Sequence, residues 1–330
     1  MKKFVVVLLA LVMALSFSVV SAKDYQVAMI SDTSINDGGW GSATYQAMVD
    51  SAAEYGWTYK YTDNISQNEY YETIVAYCDM GFDLIYAPGN QYTDAVLQAA
   101  EEYPEVNFAL LNGAVTTPEK AVNGNVTSLL PDKTEIGWIA GALAGLMTKS
   151  GTIAFIGGME LDTTLGKYAG FGEAAKYVAE QEGREVTLLD AVFAGSFNDS
   201  GKGIEFAKAM IDQGADVFFG DASAVDSGAR QAIDEYNKAA GEIKVYDIAQ
   251  PGDFLGQNEC IIGSQVTDNS SLVGLSMKAT MDGTFGGEVI YGTLENGVLS
   301  AGKLNDLIPE DIQAKYLAYV DEMTAGTFMK

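Results

Sequence analysis

The chain has no histidine and only two cysteines, Cys78 and Cys260. Those scarcities exclude a Ser-His-Asp triad, a histidine general base and a structural zinc site, each of which needs imidazole or several thiolates. The two cysteines could pair in an oxidising compartment, but buried free thiols are the expected state. Cations are also few: 19 Lys and Arg stand against 45 Asp and Glu, a formal charge of −26. A field of that sign repels nucleic acid and anionic lipid, so neither is an expected partner. The six prolines are dispersed, with no proline-rich or low-complexity linker. Beyond the N-terminal stretch no apolar run is long enough to cross a membrane, so no direct membrane insertion is expected.

What is present begins with a leader. Lys2 and Lys3 precede an apolar core, Phe4 to Leu15, and Val20-Ser21-Ala22 forms a small-residue cleavage site. Residues 1–22 therefore read as a signal peptide, and the mature chain as exported, periplasmic and soluble. No cysteine follows the apolar core, so no lipid anchor is expected. The alternative is an uncleaved membrane anchor, for which the run is short.

The 330 residues, 48% of them apolar, suffice for two buried cores. A repeat shows how they are organised. Gly81, Asp83, Leu84, Ile85 and Tyr86, then Gln98, Ala99 and Tyr103, recur at one fixed offset as Gly214, Asp216, Val217, Phe218 and Phe219, then Gln231, Ala232 and Tyr236. Each copy is an apolar strand, a polar loop and an amphipathic helix, which predicts two α/β lobes in tandem, each a doubly wound parallel sheet. With crossings near Leu129, Gln265 and Gly302, one lobe takes residues 24–129 plus 266–302. The other takes 130–265 plus 303–330, with a multi-strand hinge between them. Residues 288–304, with Asn296-Gly297 in the middle, read as a hairpin.

Ligands of such sheets bind beyond the carboxyl ends of the strands, which directs attention to two loops. The first is Ser31-Asp32-Thr33-Ser34-Ile35-Asn36-Asp37-Gly38-Gly39-Trp40. It fits neither a calcium loop, a P-loop nor the dinucleotide glycine pattern. Asn36 and Asp37 can bond a ligand edge and Trp40 offers a flat face; alternatively, Asn36 and Asp37 cap the next helix while Trp40 packs its first turn. In the second loop, Ala194-Gly195-Ser196-Phe197-Asn198-Asp199, Phe197 stands among small and polar residues. It projects into the cleft or folds back over its own lobe.

These loops resemble the basic membrane protein family, the PnrA-like substrate-binding components of ABC transporters. The resemblance runs from Tyr25 to about Leu304. It is carried in order by Asn36-Asp37-Gly38-Gly39-Trp40, Tyr103-Pro104-Glu105-Val106-Asn107-Phe108, Ile139-Ala140-Gly141, Phe155-Ile156-Gly157-Gly158, Gly195-Ser196-Phe197-Asn198-Asp199 and Val245-Tyr246-Asp247. It implies a type I periplasmic-binding-protein fold that closes on a purine nucleoside or nucleobase and delivers it to an ABC permease, with no cofactor, no metal and no catalysis. It further implies that Trp40 and Phe197 sandwich the base, Asn36 and Asp37 bond its edge, and Asp247 takes ribose hydroxyls or a polar base edge. Asn112, Asn198 and Thr267 complete the implied ligand-binding set. Asn112 stands where relatives have aspartate and Thr267 where they have a lysine near the sugar, which favours purine over ribose recognition. Two other readings stay open: a sugar or other small-solute binder or sensor, and a nucleoside hydrolase using Asp37 with Asp247.

Overall fold

The computed structural model describes residues 23–113 and 124–330; the leader expected over residues 1–22 lies outside them. In chain order the first half runs β1 (Gln26–Ile30), α1 (Trp40–Tyr55), β2 (Thr58–Thr62), α2 (Tyr70–Asp79), β3 (Leu84–Pro88), α3 (Thr93–Glu102), β4 (Asn107–Leu111), β5 (Val126–Pro131) and α4 (Lys133–Met147). It continues with β6 (Thr152–Gly157), α5 (Asp162–Gln181), β7 (Thr187–Leu188), β8 (Val192–Phe193), α6 (Ser200–Asp212), β9 (Val217–Asp221) and α7 (Ala224–Ala240). The remainder is β10 (Tyr246–Ala249), β11 (Ile261–Thr267), α8 (Asn269–Asp282), β12 (Val289–Gly292), β13 (Leu299–Ala301) and α9 (Glu310–Thr324). The central strands are near-continuous apolar runs, as strands covered by helices on both faces must be.

These strands form two sheets. The first has the order β12-β5-β4-β3-β1-β2 and is parallel throughout; the second has the order β13-β11-β10-β9-β6-β7, with β8 also paired to β6. Only β13 runs antiparallel, against β11. Both sheets reverse direction of winding beside their first strand, between β1 and β3 in one and β6 and β9 in the other. Those are the topological switch points at which such sheets leave a crevice. The repeat in the sequence has a structural meaning: Asp83 accepts from the Gln26 amide at 2.8 Å, and its counterpart Asp216 accepts from the Lys149 and Ser150 amides at 2.7 and 2.8 Å. Each aspartate ties down the chain at the amino end of its own sheet.

The chain passes between the sheets at Pro131 to Lys133, Thr267 to Asn269 and Gly292 to Leu299. The third passage corrects two expectations. Residues 288–304 are not a hairpin: β12 pairs with β5 in the first sheet while β13 pairs with β11 in the second. The Asn296-Gly297 turn lies on the connection, and the first lobe's share of this segment ends near Gly292 instead of Gly302. Cys78 and Cys260 are free and buried in separate cores.

One packing contact positions part of the cleft. Helix α4 places Gly137, Gly141 and Gly145 in a row at intervals of four, facing α5. A Cβ added there would lie 2.4, 2.3 and 2.5 Å from the carbonyl oxygens of Lys167, Phe171 and Ala175. The glycines therefore let the two helix backbones touch, and this contact fixes the height of α5 and the side chains it carries to the second sheet's carboxyl end.

Candidate ligand-binding cleft

A cleft of about 430 Å³, open mouth included, lies between the carboxyl ends of the two sheets. The first sheet contributes Asp32, Thr33 and Trp40 after β1, Gly89 to Gln91 after β3, and Asn112 after β4. The second contributes Leu161, Thr163 and Thr164 around the start of α5, Phe197 after β8, Asp221 at the end of β9 and Ser223 after it. Trp40 and Phe197 thus reach one cleft from opposite lobes. The Trp40 indole N–H donates to the Pro88 carbonyl at 2.7 Å, which fixes the ring. Phe197 lies on the Gly158 backbone, where a Cβ would come within 2.3 Å of the phenyl ring. The lobes touch directly: Asn198 Nδ2 donates to the Asp32 carbonyl at 3.3 Å, and Gly39 approaches Ser223 so closely that a Cβ would sit 3.3 Å from its Cα.

Two carboxylates form the polar poles. Asp32 accepts from Tyr92 Oη at 2.8 Å, Tyr70 Oη at 3.0 Å and Gln91 Nε2 at 3.1–3.2 Å, and its own amide donates to Tyr92 Oη at 2.7 Å. Burial and the Asp32 charge both hold the two phenols well above their ordinary range, so they stay protonated donors. Opposite, Asp221 accepts from Thr164 Oγ1 at 2.7 Å and Lys167 Nζ at 2.8 Å; Lys167 also donates to Gln250 Oε1 at 2.9 Å. Asp221 is neutralised by Lys167, whereas Asp32 is held by neutral donors alone, so the cleft carries an excess negative charge on the first-lobe side.

Of the residues expected from sequence, Trp40, Asn112 and Phe197 line this cleft, and Asn198 bridges the lobes at its edge. Four are placed otherwise. Asp37 is occupied by the chain: its oxygens accept from the amides of Gly39, Gly41 and Ser42 and from Ser42 Oγ at 2.8–3.0 Å, satisfying the first turn of α1. Asn36 beside it is exposed and outside the lining. Asp247 lies in mid-strand β10, buried, with Arg230 Nε donating to it at 2.7 Å. Thr267 is buried at the end of β11, its hydroxyl bonded to the Gln265 side chain.

Sequence reasoning missed Asp32, Asp221, Lys167 and Arg230. A signal existed for the first two, since each is the first charged residue after an apolar strand, the position from which a side chain reaches such a cleft. Lys167 and Arg230 gave none, each being one of two cations on its helix with nothing in the spacing to mark it. Among the described residues no group of three or more metal-ligating side chains is placed to hold an ion.

Two lobes, each a doubly wound sheet, with aromatic and polar groups converging at their carboxyl ends, make up the periplasmic-binding-protein fold. A solute-binding protein of an ABC transporter system from Aeropyrum pernix K1 superposes with a TM-score of 0.76 at 22% identity, over 91% of this chain and 86% of its own. The model of the family described as ABC transporter substrate-binding protein PnrA-like matches residues 25–325, and the chain belongs to that family. It is 26% identical over 296 residues to the ABC transporter nucleoside-binding protein BmpA of Lactococcus lactis, covering 84% of this chain and 82% of that one. It is also 28% identical over 253 residues to an uncharacterized lipoprotein of Pyrococcus horikoshii, covering 70% of this chain and 60% of that one. Relatives in Pyrococcus abyssi and Pyrococcus furiosus are likewise named lipoproteins. That finding overturns the expectation of a soluble protein without a lipid anchor. Among the described residues no helix is long and apolar enough to cross a membrane.

Proposed function

We propose that this substrate-binding component closes on a purine nucleoside or nucleobase and hands it to its membrane permease. The observation that carries the reading is the pairing of Trp40 from one lobe with Phe197 from the other in a single cleft. Two flat apolar faces opposed across a closing gap suit a flat ring, and base–aromatic stacking is sequence-tolerant and strong. The excess negative pole at Asp32, with Asn90 and Gln91 beside it, suits the N–H donors of a purine edge. The relative named a nucleoside-binding protein supports the same class.

The protein works by binding, without catalysis. Asp37 and Asp247 do not form a hydrolytic pair, since one caps α1 and the other is sealed behind Arg230. Both Asp32 and Asp221 have each oxygen engaged by donors of their own lobe, which leaves neither poised to move a proton.

A sugar ligand is the second reading, favoured by the hydroxyl and carboxylate lining at Thr163, Thr164, Asp221 and Ser223. Mass spectrometry of the small molecule released when the purified protein is denatured decides between them. A purine or purine nucleoside mass is expected; a free sugar as the sole released ligand would overturn the proposal.

A further inference from the structure

Where β9 gives way to α7 the chain makes a turn from Ala222 to Val225, closed by the Val225 amide donating to the Ala222 carbonyl at 3.0 Å. Ser223 is its first corner, with φ 52° and ψ −112°. That is type II′ geometry, in which the first corner calls for glycine because a Cβ there crowds the backbone. Among the described residues Asn64, Asn112, Ser223 and Met329 are the non-glycines with positive φ. Asparagine tolerates that sign of φ, and of the other two only Ser223 lines the cleft. Three contacts hold the turn in place. The Ala222 amide donates to Asp226 Oδ2 at 2.8 Å, the Ala224 amide donates to the Phe197 carbonyl at 3.0 Å, and Gly39 of the first lobe lies against the Ser223 Cα. The Ser223 hydroxyl has no hydrogen-bond partner among the described residues, yet it is not one of the unpaired polar atoms sealed from solvent. In a residue only 7% exposed, it therefore opens on the cleft that the residue lines.

We propose that Ser223 is a specificity-determining residue of the cleft, its hydroxyl bonding the polar edge of a base held between Trp40 and Phe197. The inference rests on the stacking reading. Strained backbone persists only where its surroundings over-determine it, and it gathers at ligand sites. A glycine would hold the same turn without strain, so what serine adds is its Cβ and hydroxyl, and the hydroxyl is the part that faces the cleft. The bond from the Ala224 amide to the Phe197 carbonyl ties the turn to the backbone of the stacking residue, which keeps hydroxyl and phenyl ring at one spacing. A hydroxyl donates to a ring nitrogen or accepts from an exocyclic amino group, so it serves either pattern of a purine edge. Neighbouring Asp221 is less free for that task, since Thr164 and Lys167 already engage its oxygens.

The test combines calorimetric titration with adenine, hypoxanthine, adenosine and ribose with urea unfolding, in the natural protein, in Ser223→Ala and in Ser223→Gly. Alanine keeps the strain and loses the hydroxyl; glycine loses both. Affinity for adenine and hypoxanthine should fall about 3- to 10-fold in Ser223→Ala, and at least as far in Ser223→Gly. In stability the variants should part, with Ser223→Gly unfolding at a higher urea concentration than either the natural protein or Ser223→Ala. Unchanged base affinity in Ser223→Ala would overturn the proposal, whatever the urea midpoints. A loss confined to adenosine, with both free bases unaffected, would assign the hydroxyl to the sugar and overturn it as well. Equal midpoints for the glycine and alanine variants would remove the strain on which it is built. In each of those cases a natural protein that binds the bases leaves the purine reading standing. Should the natural protein bind ribose and no base, both fall.

Discussion

Replacing Trp40 or Phe197 by Ala removes one face of the stacking pair and leaves both lobes' cores intact, since neither ring belongs to the fully buried core. At ~1–3 kcal/mol per stacked base, purine affinity should fall about 5- to 150-fold in each variant, measured by calorimetry, with the thermal midpoint nearly unchanged. Asp226 makes a different prediction. Burial pushes its carboxyl from 3.8 up to about 7, against the pull of Arg230, with Asp247 and Asp221 adding repulsion. The folded state therefore holds this proton to higher pH than the unfolded chain does. Stability falls as pH rises from about 4 to about 7 and levels off above. At about 1.4 kcal/mol per pH unit the loss is on the order of 4 kcal/mol. Asp226→Asn should match the natural protein in stability near pH 4 and exceed it at pH 8; denaturant unfolding at both values checks this, and parallel pH curves would refute it. That Trp40 and Phe197 line the cleft was legible because each stands in a loop of small and polar residues. The carboxylates were misassigned because sequence spacing does not say which of Asp32 and Asp37 has its oxygens taken by backbone amides. Nor does it reveal that Arg230, on the helix before β10, covers Asp247.

At the scale of elements, alternation of apolar runs and amphipathic segments sufficed for most strands and helices, because parallel strands covered on both faces announce themselves by composition. Pairing partners were less visible. The Asn296-Gly297 signal marked a real turn, yet the strands on either side of it join different sheets, a choice made by packing against β5 and β11. The α4–α5 contact shows how an element governs the site from a distance. Gly141→Ala would drive a methyl to 2.3 Å from the Phe171 carbonyl. Relief requires the helices to separate, at a cost of about 1–3 kcal/mol or more. The same shift would draw Lys167 away from Asp221. Urea unfolding should report the destabilisation, and reduced ligand affinity in the still-folded variant should accompany it. A variant with natural stability would mean the helices do not need this close approach.

For the molecule as a whole, three chain passages join two sheets whose facing loops already touch through Asn198 and Asp32 and through Gly39 and Ser223. A ligand that contacts both lobes stabilises that closed arrangement over any open one by its differential contacts. Ligand should therefore reduce the radius of gyration of ligand-stripped protein in small-angle scattering and raise its thermal midpoint. An unchanged radius at saturation would argue against closure. The most direct measurement of the central claim is calorimetric titration of ligand-stripped protein with adenosine, guanosine, inosine, adenine and ribose. Saturable binding of the purines, at least tenfold tighter than that of free ribose, is the expected result; binding of ribose alone, with no heat from any purine, would contradict it.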